Sequence, residues 1–516
     1  MSKTMTIKTA SALLLGLALS VGCAGDAGLS DESAAGDGGG AGVGQGGAQD
    51  FGQFREILDR GEIPGPETLD DVGFFNEHKM EIPDADCGDS VCVHGELGVM
   101  GNMLNGSNCT LVMLGMNTPI DPAEIDRPPL NLAIAVDTSG SMAGAPIDYL
   151  KEGLFRMLDD LQPEDRVTLV GFSNGATVLV ESVAGDDAEL ALAINSLNAS
   201  GKTNIYDGLR LAYDTVEANA DPALQNRVIL LSDGEATAGI VADDKIVAMS
   251  AAYNAEGYSL STIGMGTDFD PELMRELSES GAGAFYYLED PEAVREVFEE
   301  EVKTFLVPLA KDVVIDFVVD PGYSLRQIYG TKLSETWGNQ GHIEIPSLQI
   351  AHRTEVSDNE GGRRGGGGAI IVEVIPRSPD QVVESGTVGL LSMTYDVPGT
   401  EDTVTEEIKI TTPLDHGETP DVGHFSHAGV EKGFVMLNIF AGFEMAASRA
   451  SFADNSGALA VLQPLSVAVG EWLAENPDED IEDDLKYIDL FISNLRNRGA
   501  GDPPPDQTPP NPWPSD

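Results

Sequence analysis

The spacing of apolar residues changes along this chain, and the changes divide it. Between 130 and 306, short apolar runs alternate with stretches whose apolar positions recur every three or four residues. The runs at 131–136, 166–172, 176–182, 227–232, 258–264 and 284–288 predict strands. The stretches between them predict helices over 146–161, 187–197, 205–218, 242–256, 270–280 and 291–305. In the first helix, Ile147, Leu150, Leu154, Met157, Leu158 and Leu161 fall on one face. Such alternation implies an α/β fold with a doubly wound, mostly parallel sheet of the Rossmann-like kind.

On either side the period is different. Residues 307–415 hold six strand candidates with turn residues between them, which predicts a β-sandwich. Residues 51–129 read as two short helices around a Pro-Gly-Pro turn, strands within 92–116, and a Pro-rich lead into the α/β unit. Those early strands are expected to join the sandwich, so that the α/β unit is an insertion. The Gly-rich run at 361–368 opens no helix, which makes it a hairpin tip rather than a phosphate cradle. Residues 416–500 are helical in pattern, and 501–516 form a Pro-rich tail expected to be disordered.

At the N-terminus, Lys3 and Lys8 precede an apolar run over 11–22 that is short for a membrane span, so 1–22 read as a signal peptide. Residues 23–50 are Gly, Ala and Asp with little to bury and read as a flexible tether. No later stretch is expected to span a bilayer.

Charge narrows the choice of partners. The 29 Lys and Arg stand against 86 Asp and Glu, a net charge of −57. Phosphate backbones would be repelled, which excludes nucleic acid. Divalent cations would be attracted. An oxidising compartment would favour one disulfide among Cys87, Cys92 and Cys109, with the pairing open.

The candidate chemistry sits at strand ends. Asp137, Ser139 and Ser141 follow the first apolar run of the α/β unit, Thr203 lies in the loop before a helix, and Asp233 ends a later run. Carboxylates and hydroxyls are hard oxygen donors of the type magnesium, manganese or calcium prefers. Asp148, Asp207 and Glu235 lie nearby and read as solvated or capping residues. No His-Glu-x-x-His, nucleophile elbow or phosphate loop occurs, and His424 and His427 lack a carboxylate partner in any catalytic motif, so no enzyme is expected.

The three separated segments resemble the metal-ion-dependent adhesion site of a von Willebrand factor type A (VWA) domain, here over 130–306. The resemblance implies that Ser139, Ser141 and Thr203 ligate a metal through hydroxyls, with Asp137 and Asp233 acting directly or through water. It implies Mg2+, with Ca2+ or Mn2+ as alternatives, and a protein partner whose Asp or Glu carboxylate completes the coordination. The stretch LSVGCAG resembles a bacterial lipobox, which would make Cys23 the acylated residue and the lipid the only membrane contact. Ala24 after that cysteine points to the outer membrane by the same resemblance. FREILDRGEIPGP (54–66), RPPLNLAIAVDTSGSM (127–142), LQPEDRVTLVGFS (161–173) and AKDVVIDFVVDPGYSLRQIYG (310–330) are similar to segments of bacterial lipoproteins that carry a VWA domain between family-specific flanks. The function implied is metal-dependent protein binding in adhesion or in assembly of an envelope complex. The alternative is an envelope scaffold whose metal site only stabilises. Whether it faces the periplasm or the cell surface stays open.

Overall fold

The computed structural model describes residues 41–44, 51–120, 128–221, 224–233, 235–265, 270–281, 283, 285–288, 308–351, 369–382, 385–398, 400 and 402–501. The expected signal peptide, Cys23, the helix at 291–305, the Gly-rich tip at 361–368 and the tail from 502 lie outside the described residues.

A six-stranded sheet carries the α/β unit. Its order across the sheet is Ala176–Ala184, Arg166–Phe172, Leu130–Asp137, Gln225–Ser232, Ser259–Met265, Phe285–Leu288. All neighbours are parallel except the first pair. The strand Leu130–Asp137 is buried along its whole length, as a central parallel strand covered on both faces must be. One face packs on the helices Ala145–Asp160 and Ala188–Ser196 through Leu132, Ile134, Leu150, Leu154 and Ile194. The other packs on Ile205–Ala218, Asp243–Asn254 and Pro271–Ser280 through Ala133, Ala135, Leu209, Tyr213 and Leu277. The unit is therefore doubly wound.

The strands Cys92–Gly101 and Asn108–Thr118 join strands from residue 308 onward, so the α/β unit is inserted between two parts of one β structure. One half-sheet runs His424–Phe425, Cys92–Gly101, Asn108–Thr118, Ile370–Pro376, Tyr323–Tyr329. The other runs Ser334–Trp337, Gln340–Ala351, Pro308–Val319, Thr387–Asp396, Thr403–Thr411. Val112, Leu114 and Val372 of the first meet Ile315, Phe317, Leu391 and Tyr395 of the second in a shared core.

Two expectations need correction. The Gly-rich segment 23–50 contributes a strand, Ala41–Gly44, which pairs antiparallel with both Asn108–Thr118 and Gln340–Ala351 and bridges the half-sheets. Ladder hydrogen bonds come from the backbone, so a segment with nothing to bury can still fill a gap between strand edges. The second concerns membrane spans. The helix Asn455–Glu475 is long and apolar enough by composition to cross a bilayer. Its Leu459, Leu462, Leu465 and Val469 are buried in a hydrophobic core shared with the neighbouring helices.

That core joins both ends of the chain. The helices Phe51–Asp59 and Asp71–Asn76 pack on Ala428–Ser451, Asn455–Glu475 and Glu479–Asn497, with Phe51 and Phe54 against Phe443 at 5.7 and 5.0 Å between ring centres. The helix Ala428–Ser451 is buried nearly all round, which matches its apolar composition on every face. The bundle also covers Leu111, Met113 and Ile371 on the outside of the first half-sheet.

Cys87 and Cys92 are disulfide-bonded, which settles one pairing that the sequence left open. The bond closes a loop of six residues ahead of the strand Cys92–Gly101. Chain entropy alone gives about 2 kcal/mol for a loop this short. Replacing both cysteines by serine is expected to lower the unfolding free energy by about that amount, read from denaturant midpoints at constant m-value.

Candidate metal centre

In a parallel sheet all carboxyl ends emerge on one edge. The chain leaves Leu130–Asp137 for neighbours on one side and returns to Gln225–Ser232 on the other. The crevice between these two strands is the topological switch point, where open α/β sheets place ligands. Asp137 is the last residue of one strand, and Asp233 directly follows the other.

Both oxygens of Asp137 are engaged. The Ser139 backbone N–H donates to Oδ1 at 2.7 Å, and the Ser232 hydroxyl donates to Oδ2 at 2.6 Å. The Ser139 and Ser141 hydroxyls lie 2.8 Å apart, and Ser141 donates to Asp233 Oδ1 at 2.8 Å. Four of the five expected residues are thus joined by short side-chain contacts. Thr203 joins through its loop rather than by a hydrogen bond from its hydroxyl. Ser200 N–H donates to Thr138 O at 2.7 Å and Gly140 N–H to Gly201 O at 3.1 Å, so this loop is stitched to the Asp137–Ser141 turn. Gly201 takes φ +92°, a backbone conformation that favours glycine. On the far side, Thr203 N–H donates to the Thr237 hydroxyl at 3.0 Å, and Thr237 N–H returns to Thr203 O at 2.8 Å.

Asn204 caps the helix Ile205–Ala218, accepting from Asp207 N–H at 3.2 Å and donating to the Asp207 carboxylate at 2.8 Å. Asp207 is therefore a capping partner, as expected. Asp148 and Glu235 are exposed beside the site. His427 caps the helix Ala428–Ser451 through Nδ1, accepting from Gly429 N–H at 3.2 Å, far from these loops in the fold.

Sequence reasoning missed Ser232. Its hydroxyl fixes the second oxygen of Asp137. The signal was present, since a hydroxyl follows the apolar run at 228–231 directly before Asp233.

The electrostatics favour a cation. Asp137 is fully buried, and burial pushes its carboxyl above the ordinary range while the bonds from Ser232 and Ser139 pull it down. No Lys, Arg or His pairs with it among the described residues. A buried carboxylate without a partner charge is costly, and a bound cation would offset that cost. Among the described residues no three His, Cys, Asp or Glu gather as a metal group, so the donor set is two carboxylates with hydroxyls. That set fits a hard divalent cation, and its neutral hydroxyls leave much of the cation's charge available to a further anion.

Residues 131–300 match the family model of the von Willebrand factor type A domain, so the α/β unit is a VWA domain. The chain is 29% identical to the uncharacterized protein YfbK of Escherichia coli over 215 residues, which are 39% of this chain and 37% of that protein. The match thus spans little more than a third of the relative's length. Among solved structures, the von Willebrand factor type A from Catenulispora acidiphila aligns over 78% of this chain and 96% of its own, at 16% identity and a TM-score of 0.46. The proximal thread matrix protein 1 from the mussel byssus, in a structure with a zinc-occupied MIDAS motif, aligns over 34% of this chain and 46% of its own, at 22% identity and a TM-score of 0.29.

Proposed function

We propose that the VWA domain of this chain binds a partner protein through a divalent cation held by Asp137, Ser139, Ser141, Thr203 and Asp233. The observation that carries this reading is the buried Asp137 carboxylate, which has no basic partner among the described residues and is held by Ser232 and Ser139, beside a run of contacts from the Ser139 hydroxyl through Ser141 to the Asp233 carboxylate. A bound Mg2+, Ca2+ or Mn2+ would act as a Lewis acid toward an incoming Asp or Glu carboxylate. Ser232 and the Ser139 N–H hold Asp137 in place, and the stitched loops hold Ser139, Ser141 and Thr203 at one edge of the sheet. The role is binding rather than catalysis, in adhesion or in assembly of an envelope complex. Cys23 would carry a lipid that anchors the chain, with the body on the periplasmic or outer face of the outer membrane.

Crosslinking in intact cells tests the reading. A partner band is expected with divalent cations present and is expected to vanish with a chelator or with Asp137→Ala plus Asp233→Ala. The same partner set under all three conditions would leave only a scaffold whose metal is stabilising.

A further inference from the structure

We propose that the outer face of the second half-sheet is a docking surface separate from the metal site, and that it takes a protein segment with an apolar strip flanked by Lys or Arg. The ladder registers carry the argument. Trp337 pairs with Gln340, Gln340 with Val318, Val318 with Leu390, and Leu390 with Lys409. Residues opposite one another across strands point to the same face, so these five side chains form one row. All five are exposed, and Trp337, Val318 and Leu390 are 55%, 41% and 41% accessible. Their strand neighbours Phe317, Val319, Leu391 and Ile410 point the other way and are buried in the sandwich core. Alternation therefore fixes which face is exposed.

Single exposed apolar residues are ordinary on a soluble surface, but three large ones in a single row across four strands are not scattered. The flanking positions decide the partner's charge. The row two residues along reads Glu335, His342, Asp316, Ser392, Glu407. Glu344 lies beyond it, and the His342 ring bridges Asp316 at 2.7 Å and Glu344 at 3.1 Å. The same ring lies 5.4 Å from that of Trp337, so the acidic row backs the tryptophan. Against the four carboxylates, the described residues of these rows offer Lys409 and a titratable His342. A second copy of a chain carrying −57 would be repelled, as would an anionic membrane or a nucleic acid. A basic segment with an apolar strip matches both features, with Trp337 as its anchor.

The test uses the full chain and capped ten-residue peptides of alternating Leu–Lys and alternating Ser–Lys, titrated near physiological salt. The Leu–Lys peptide is expected to bind at least tenfold tighter than Ser–Lys. Trp337→Ser with Leu390→Ser is expected to abolish that difference, and Glu335→Gln with Glu407→Gln to weaken Leu–Lys binding while leaving the apolar row intact. A chelator is expected to change none of this, which separates the surface from the metal site. Equal binding of Leu–Lys by wild type and both variants, with unchanged melting temperatures, would overturn the proposal.

Discussion

Replacing Asp137 and Asp233 together by alanine is expected to erase the thermal stabilisation that a divalent cation gives this chain. A cation that binds only the folded state at one hundred times its dissociation constant adds about 2.7 kcal/mol. For a domain of this size that corresponds to roughly 5–10 °C in melting temperature. The double variant loses both carboxylates of the donor set, so its melting temperature should be the same in chelator and in saturating Mg2+, Ca2+ or Mn2+. The metal-free comparison is equally informative. Without a cation, Asp137 is a buried carboxylate held by the Ser232 hydroxyl and by Ser139. Removing it then relieves a desolvation cost and orphans two weaker groups, so the variant should lie within about 1–2 kcal/mol of wild type. The penalty of the substitution should therefore grow when metal is added. Calorimetry across the three cations and a chelator checks this. Equal stabilisation of wild type and variant would remove both residues from the ligand set.

The second large effect is expected at Asp70→Ala. Asp70 is fully buried and ties three parts of the chain together. It caps the helix Asp71–Asn76 by accepting from Val72 N–H at 2.9 Å. It receives Arg275 of the α/β unit at 3.0 Å and faces Lys332 of the sandwich at 3.4 Å. Its neighbour Asp71 accepts from Gly330 N–H at 2.8 Å and also pairs with Lys332. Removing Asp70 takes a buried partner from Arg275 and Lys332 and the cap from Val72 N–H, but both cations are partly exposed and Lys332 keeps Asp71, so the cost is about 2 kcal/mol, below that of a fully buried pair. Asp70→Asn keeps the cap and loses the charge, so it should fall between wild type and alanine. Arg275→Ala should cost less than Asp70→Ala, because Lys332 still faces the Asp70 carboxylate and the cap to Val72 N–H is kept. Chemical denaturation of the three variants checks the order. If all three lie within 0.5 kcal/mol of wild type, as surface changes commonly do, the junction carries no stability.

The α/β unit was legible because each of its strands is a run bounded by a turn and helices such as Ala145–Asp160 and Ile205–Ala218 show one apolar face, although Asp243–Asn254 buries little more than Ile246 and Ser250. The observed strand Arg166–Phe172 and helix Ile205–Ala218 coincide with the expected ones. The ligand candidates were legible because the chemistry needs hard oxygens at strand ends, and those ends follow directly from the apolar runs. Ser232 was passed over because a hydroxyl at a strand end has many uses, and only its 2.6 Å contact with Asp137 selects one. The strand at Ala41–Gly44 was illegible for a different reason. Its side chains carry no periodic signal, and its place depends on two strand edges about 70 and 300 residues away in the chain.

By itself the sequence determined the doubly wound unit, the sandwich strands, the helical C-terminal region and the oxygen-rich residues at the carboxyl edge, because periodicity and residue type are local properties. Only the tertiary structure decided which residues touch. It put Ser232 on Asp137, Arg275 on Asp70, and Trp337 in a row with Val318 and Leu390. Those pairings depend on register and on packing between distant segments, and neither is written in the period of any one segment.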